Sequence, residues 1–367
     1  MENALAEYGY NRDGKKGKMQ IVIGLLTGPD GAPVAVRVFE GNTSDPTTVP
    51  DQVKILANDF GVTNVTLVGD RGMIKSKQID LLDGNDFHYI SAITKPQIRT
   101  LLSKGIIQLG LFDDDLCEVS EGTTRYSLRR NPIRQQEIAQ NRDDRLQSLQ
   151  EFARQQTTFL AEHPRAKGET ALKKLKAKCS RYNFDKFVSV EIQGRTFVVT
   201  VGKAERESSA ALDGCYVIKT DLPAIAGDAS TIHDRYKDLA MVEKAFRTWK
   251  TGHLEVRPIF VRSEASTRGH VFVVMLAYLI ERELATYWKA LDLTVAEGID
   301  ELGSLCGMIV NTKQATIQRI PHPNDRCQKL LEAANVRVPN ALPAREVNVS
   351  TRASLTSRRK KQKSTNS

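Results

Sequence analysis

Glu243, Arg247, Lys250 and Tyr236 are residues whose types and spacing could do chemistry. Leu239, Val242, Phe246 and Trp249 recur around them at helical spacing, so 236–250 is expected as one helix, with Thr231 or Asp234 as its N-cap. At about 100° per residue, Arg247 lies about 40° round from Glu243, and Tyr236 and Lys250 each lie about 20° off its direction. One carboxylate, one phenol and two cations then share a stripe. That stripe suits a metal-binding carboxylate flanked by groups that hold phosphates. It suits equally a solvated helix face carrying an i,i+4 Glu–Arg pair.

A second carboxylate stands out at Asp70. It follows a short apolar run at 62–69, expected as a buried strand, and opens the sequence Asp70-Arg71-Gly72-Met73. Ligands of α/β sheets gather outside the carboxyl ends of strands. The other reading of Asp70 is an N-cap for the helix that runs on to Leu82.

The elements that must position these groups are legible in outline. Residues 2–18 are polar and Gly-rich, with four cations among the eight residues 11–18, which suits a surface loop or a phosphate contact. Apolar runs at 19–26 and 33–39 flank Pro29-Asp30-Gly31, a β-hairpin signal. An amphipathic helix is expected at 47–60 and another strand at 87–93. Residues 1–94 are thus the first part of an α/β core. From 95 to 230 the pattern changes to an inserted α+β subdomain: an irregular acidic turn at 113–115, a helical hairpin within 132–182, and strands at 187–192, 197–201 and 215–219. Residues 231–292 return to the core, with 269–289 its most apolar helix. Residues 293–343 are expected as a C-terminal extension with helices at 294–305 and 323–334 and a strand near 308–310. Residues 344–367 form a basic Ser/Thr-rich tail expected to be disordered.

Composition narrows the function classes. The chain has 367 residues, room for more than one domain, and a formal charge of +9, which favours a polyanionic partner. Its five cysteines are far apart and form no Cys-x-x-Cys pair, so a zinc site or disulfide framework is not expected and a reducing cytoplasm is. The longest apolar run, 271–280, is too short to span a bilayer. A two-carboxylate glycosidase would want aromatic sugar platforms, and Phe, Trp and Tyr make only 6% of the chain.

Tyr236, Glu243 and Lys250 resemble the Tyr-x2-Arg-x3-Glu-x6-Lys signature of DDE-class transposases from bacterial insertion sequences, and the likeness runs from about residue 8 to 340. Leu239 stands where the signature has arginine, leaving Arg247 to supply that charge or the branch to do without it. Gly69-Asp70-Arg71-Gly72-Met73 is similar to the family's second catalytic aspartate segment. The resemblance implies a ribonuclease H-like mixed sheet and metal-dependent cleavage and strand transfer of DNA. It implies Asp70 and Glu243 as catalytic ligands of Mg²⁺ or Mn²⁺, with Lys250, Tyr236, Arg247 and Arg71 on DNA phosphates. It also implies a homodimer acting on terminal repeats and target DNA, and no membrane.

The family uses three carboxylates, the first on a central strand just before the hairpin. Nothing between Met1 and Met19 has the pattern of an apolar strand ending in Asp. The chain is therefore expected to be an N-terminally truncated fragment without that strand and without strand-transfer activity. The alternative is a non-catalytic DNA-binding remnant.

Overall fold

Strands β1 (Ile21–Thr27) and β2 (Pro33–Glu40) form the expected hairpin, antiparallel with Ile21 opposite Glu40. In its turn Gly31 takes a left-handed φ of +76° and Asp30 accepts the Ala32 N–H. This is a computed structural model, describing residues 3–10, 17–84, 87–113, 115–250, 254–257, 259–311 and 316–339. The basic loop at 11–16, Asp114, Pro258 and the tail at 344–367 lie outside the described residues.

Helix α1 (Asp45–Lys54) is shorter than expected, because residues 55–59 widen into a π turn that Gly61 ends at φ +61°. Pro50 lies inside α1 without an N–H to give the Pro46 carbonyl; Gln78 Nε2, from α2 (Ser76–Asp83), supplies that bond at 3.1 Å.

Among the described residues five strands make the main sheet, in the order β3 (Thr66–Gly69), β4 (His88–Ala92), β9 (Cys215–Thr220), β6 (Thr124–Arg130) and β5 (Cys117–Glu121). Strands β3 and β4 run parallel, and the remaining neighbours are antiparallel. Alternation along the strands covers both faces. On one side Val49, Val53, Leu82 and Tyr89 form one cluster. Helix α3 (Lys95–Ser103) supplies Ile98 and Leu101 to a second, with Leu128 and Val217. On the other side Ile90, Ile218 and Ile232 pack together.

Stretch 95–230 divides in two. Strands β5, β6 and β9 belong to the main sheet. Helices α4 (Pro132–Glu162) and α5 (Gly168–Arg181) and the hairpin β7 (Val188–Gln193) and β8 (Thr196–Val201) gather a core of their own around Leu149, Leu160, Leu175 and Phe197. Arg195 from this hairpin donates to the Leu160 and His163 carbonyls, satisfying the end of α4. Helix α6 (Lys203–Ala210) leads into β9. Strands β5 and β6 went unanticipated, since Glu, Arg and Ser along them obscure the apolar alternation.

Helices α7 (Ala229–Lys237), α8 (Leu239–Lys250) and α9 (Glu264–Tyr287) follow. Residues 1–276 form one compact unit and 277–367 a second. The second holds α10 (Val295–Leu302), the hairpin of β10 (Met308–Asn311) and β11 (Thr316–Arg319), and α11 (Asp325–Ala333). There Trp288 is buried and its Nε1–H donates to the Leu330 carbonyl. No helix among the described residues is long and apolar enough to cross a membrane.

Candidate active site

Asp70 is the first residue beyond the carboxyl end of β3. Gly69 before it has no room for a side chain, since a Cβ there would come within 2.8 Å of Ile74 Cδ1. The Arg71 N–H donates to Asp70 Oδ1 at 2.7 Å and the Met73 N–H to the Asp70 carbonyl, holding the acid in a tight turn. Helix α2 starts six residues later, after Lys75, so the N-cap reading of Asp70 is set aside. Its carboxylate and the Arg71 side chain are exposed at the strand's end.

The expected single helix at 236–250 is two. Helix α7 stops at Lys237, Asp238 makes a turn, and α8 begins at Leu239. The α7 cap is Asp228, whose carboxylate accepts the Thr231 N–H at 2.8 Å, rather than Thr231 or Asp234. Asp238, paired with Arg235 at 3.4 Å, is a poor residue for a helix interior because its carboxylate competes for nearby backbone N–H groups. The phase argument therefore holds only within α8. There Glu243, Arg247 and Lys250 lie on the exposed side while Ala245 and Trp249 are buried opposite.

Tyr236 joins the two elements electrostatically. Its phenol, half-buried in the last turn of α7, is pushed up to about 12. Burial is the largest cause, followed by the negative charge of Asp70, the opposing charge of Arg71, and the negative charge of Glu243. One hydroxyl thus feels an aspartate from the end of β3 and a glutamate from α8. The structure brings Asp70, Arg71, Tyr236 and Glu243 into one neighbourhood. Arg247 and Lys250 continue the Glu243 face along α8.

Two buried residues that the sequence did not single out hold α7 in place. His233, one turn before Tyr236, is buried, and its Nε2 lies 2.5 Å from Tyr216 Oη and 3.4 Å from Arg129 Nη1. Two donors at Nε2 leave the ring proton on Nδ1, toward Asp234 at 3.4 Å. Burial and the nearby Lys237 keep the imidazole neutral by lowering its pKa. Arg125 is the second. Its guanidinium pairs with Glu118 at 2.8 Å and donates to the Leu222 and Gly227 carbonyls at 2.7 and 2.9 Å, fixing the segment that enters α7. Nothing in the local sequence flags Arg125, because alternation with Tyr126 and Leu128 places it on the face that reads as outward.

Among the described residues no group of three His, Cys, Asp or Glu side chains is placed to hold a metal ion. As donors, Asp70 and Glu243 suit a hard divalent cation, which takes oxygen ligands. Fold and side-chain placement together define a mixed α/β protein with an acidic cluster around Tyr236, beyond the carboxyl end of β3. Residues 3–280 match the model of the transposase DDE domain, and the chain belongs to that family of transposases. No curated protein and no solved structure matches it.

Proposed function

We propose that this chain derives from an insertion-sequence transposase that cuts DNA at the element's terminal repeats and joins the ends to target DNA, working as a homodimer in a bacterial cytoplasm. Asp70 and Glu243 would hold Mg²⁺ or Mn²⁺; when bound, such a cation activates the attacking oxygen and steadies the leaving one. Arg71, Arg247 and Lys250 hold phosphates by charge, and Tyr236, protonated across the neutral range, donates a hydrogen bond to a phosphate oxygen. The observation that carries this reading is the Tyr236 phenol, which feels both carboxylates although they are 173 residues apart.

The core is read as ribonuclease H-like, with its third carboxylate on a further strand. Supporting this, β1 pairs only with β2, and β3 only with β4, among the described residues. Every residue of β1 is half-buried, although the strand reads Ile-Val-Ile-Gly-Leu-Leu-Thr. A strand between β1 and β3, ending in Asp, would pair both open edges and bring the third acid beside Asp70. Without it the chain binds DNA but does not join it. The test is cleavage and strand transfer by residues 1–367 on the element's own ends, beside a fusion carrying an apolar strand that ends in Asp. The expected result is joining by the fusion alone, dependent on Mg²⁺ or Mn²⁺. Robust joining by residues 1–367 overturns the incompleteness. A fusion that binds the ends but never joins them favours the non-catalytic remnant.

A further inference from the structure

Charge is unevenly distributed over the helical hairpin. Helix α4 carries four arginines against five carboxylates. Those charges are largely paired: Arg134 with Glu137 at 2.6 Å, Arg154 with Glu151 at 2.5 Å, and Arg142 with Asp213. Residues 164–186, which are α5 and its flanks, carry eight cations against two carboxylates. That difference of +6 compares with +9 for the whole chain.

The excess points outward. Lys178 turns back to α4, donating to the Ser148 carbonyl at 2.9 Å and sitting over the Phe152 ring. Lys173, Lys174, Lys176 and Arg181 are exposed, and no ion pair to any of them occurs among the described residues. At about 100° per residue, Lys173 and Lys176 make one row and Lys174 and Arg181 another, about 120° round the helix. Small residues, Thr170 and Ala177, lie between the rows. Glu169, in the first turn, offsets the helix N-terminus. Unpaired like charges on one short helix repel one another, and a polyanion relieves that repulsion.

We propose that α5 is a second DNA-binding surface, apart from the acidic site, that lies in the major groove of duplex DNA with one row of cations against each phosphate backbone. A helix fits a major groove about 12 Å wide, and the small central residues allow close approach. None of the central residues offers a bidentate base contact, so the surface is indifferent to sequence and adds affinity by counterion release. The inference rests on the DNA reading above.

The test uses the full chain and a random-sequence 30-base-pair duplex, followed by fluorescence anisotropy across 50–200 mM salt. Four phosphate contacts at about 0.9 each predict that K173Q/K174Q/K176Q/R181Q lowers the log–log salt slope by about 3–4 units. The pair K174Q/R181Q should lower it by about 2, whereas R134Q/R154Q, removing as many cations from α4, should leave it unchanged. A photo-crosslinker at position 177 should label the duplex, which keeps the question decidable if the quadruple variant misfolds. An unchanged slope in the α5 pair, equal losses from α4, no crosslink at 177, or preference for duplex RNA would each overturn the proposal. A wild-type chain that binds no duplex would remove the DNA reading as well; a wild-type chain that binds while the α5 variants bind equally would remove this inference alone.

Discussion

Gly31 and Met241 meet so closely that a Cβ built on the glycine would lie 2.7 Å from the Met241 Cβ. The tip of the first hairpin thus rests on the start of α8, two residues before Glu243. Gly31→Ala adds two effects: the φ of +76° becomes strained, and the new methyl drives against a Cβ fixed to a helix backbone. Gly122→Ala is the control, because Gly122 also has a positive φ but nothing within 4 Å of its would-be Cβ. Gly122→Ala should cost about 1 kcal/mol and Gly31→Ala distinctly more, within a range of about 1–3 kcal/mol for backbone strain plus the clash. Hydrogen exchange should show amides 239–250 loosening only in Gly31→Ala. Equal costs and unchanged α8 exchange would mean that the hairpin tip does not brace that helix.

His233 sets a pH dependence of stability. Its folded pKa is lowered by burial first and then by Lys237, against the opposing hydrogen bond of Asp234, with Arg129 adding a smaller lowering; Tyr216 Oη completes its surroundings. An unfolded histidine titrates near 6.5, so below that pH the unfolded chain binds a proton that the folded chain refuses. Stability should fall as pH drops below 6.5 and be flat in this contribution above it. His233→Gln should flatten the fall while lowering stability at pH 7.5 through loss of the Tyr216 bond. Urea midpoints at pH 7.5 and 5.5 measure both; a variant with the wild-type acid slope would exclude His233 as the cause.

Much of this was legible in the sequence, and the reasons for the rest are physical. The β1–β2 hairpin followed from two apolar runs around Pro29-Asp30-Gly31, because turn chemistry is local. The placement of Asp70 after a strand followed from the Val-Thr-Leu-Val-Gly run. The break at Asp238 was hidden because Leu239, Val242, Phe246 and Trp249 keep a helical period that says nothing about one turn residue ahead of it. Strand β6 was hidden because its buried Arg125 and Ser127 read as surface residues until Glu118 and two carbonyls, far along the chain, supply the arginine's partners. The pairing of Asp70 with Glu243 was expected from family likeness alone, since no local pattern encodes a relation across so long a separation; what the structure adds is that both bear on Tyr236.

Titration of Tyr236 tests whether the two acids share its neighbourhood. With the phenol at about 12, ring-labelled tyrosine observed by NMR should show a late-titrating Tyr236 signal, told apart by Tyr236→Phe from those of Tyr89, Tyr126 and Tyr216, which burial also raises. Asp70→Asn and Glu243→Gln should each lower that pKa by removing a negative charge, and Arg71→Gln should raise it. Between pH 10 and 12 an unfolded tyrosine ionises while Tyr236 does not, so this residue's contribution to stability falls as pH rises through that window. A Tyr236 signal indifferent to both carboxylate variants would mean that the two acids do not share its neighbourhood, and a shared metal would lose its support.

Lys250 is the most economical probe of the phosphate-holding stripe. It lies seven residues beyond Glu243 on the exposed side of α8, with Trp249 buried beside it in sequence. A lysine that neutralises one phosphate releases about 0.9 of a counterion, so Lys250→Ala should make the salt slope shallower by about one unit on cleaved element ends. Its exposure keeps the change from disturbing the fold, and thermal midpoints should stay within the small range of surface substitutions, about 0.5 kcal/mol. The loss should be greatest on ends that present the cut strand, because a cation at the chemistry contacts the phosphate there, whereas α5 acts on any duplex. The measurement compares wild type and Lys250→Ala on cleaved ends and on random duplex over the same salt series. Equal effects on both DNAs would place Lys250 on a general electrostatic surface. Unchanged affinity and slope on cleaved ends would make it an ordinary solvated residue and leave Arg247 and Arg71 to hold the phosphates.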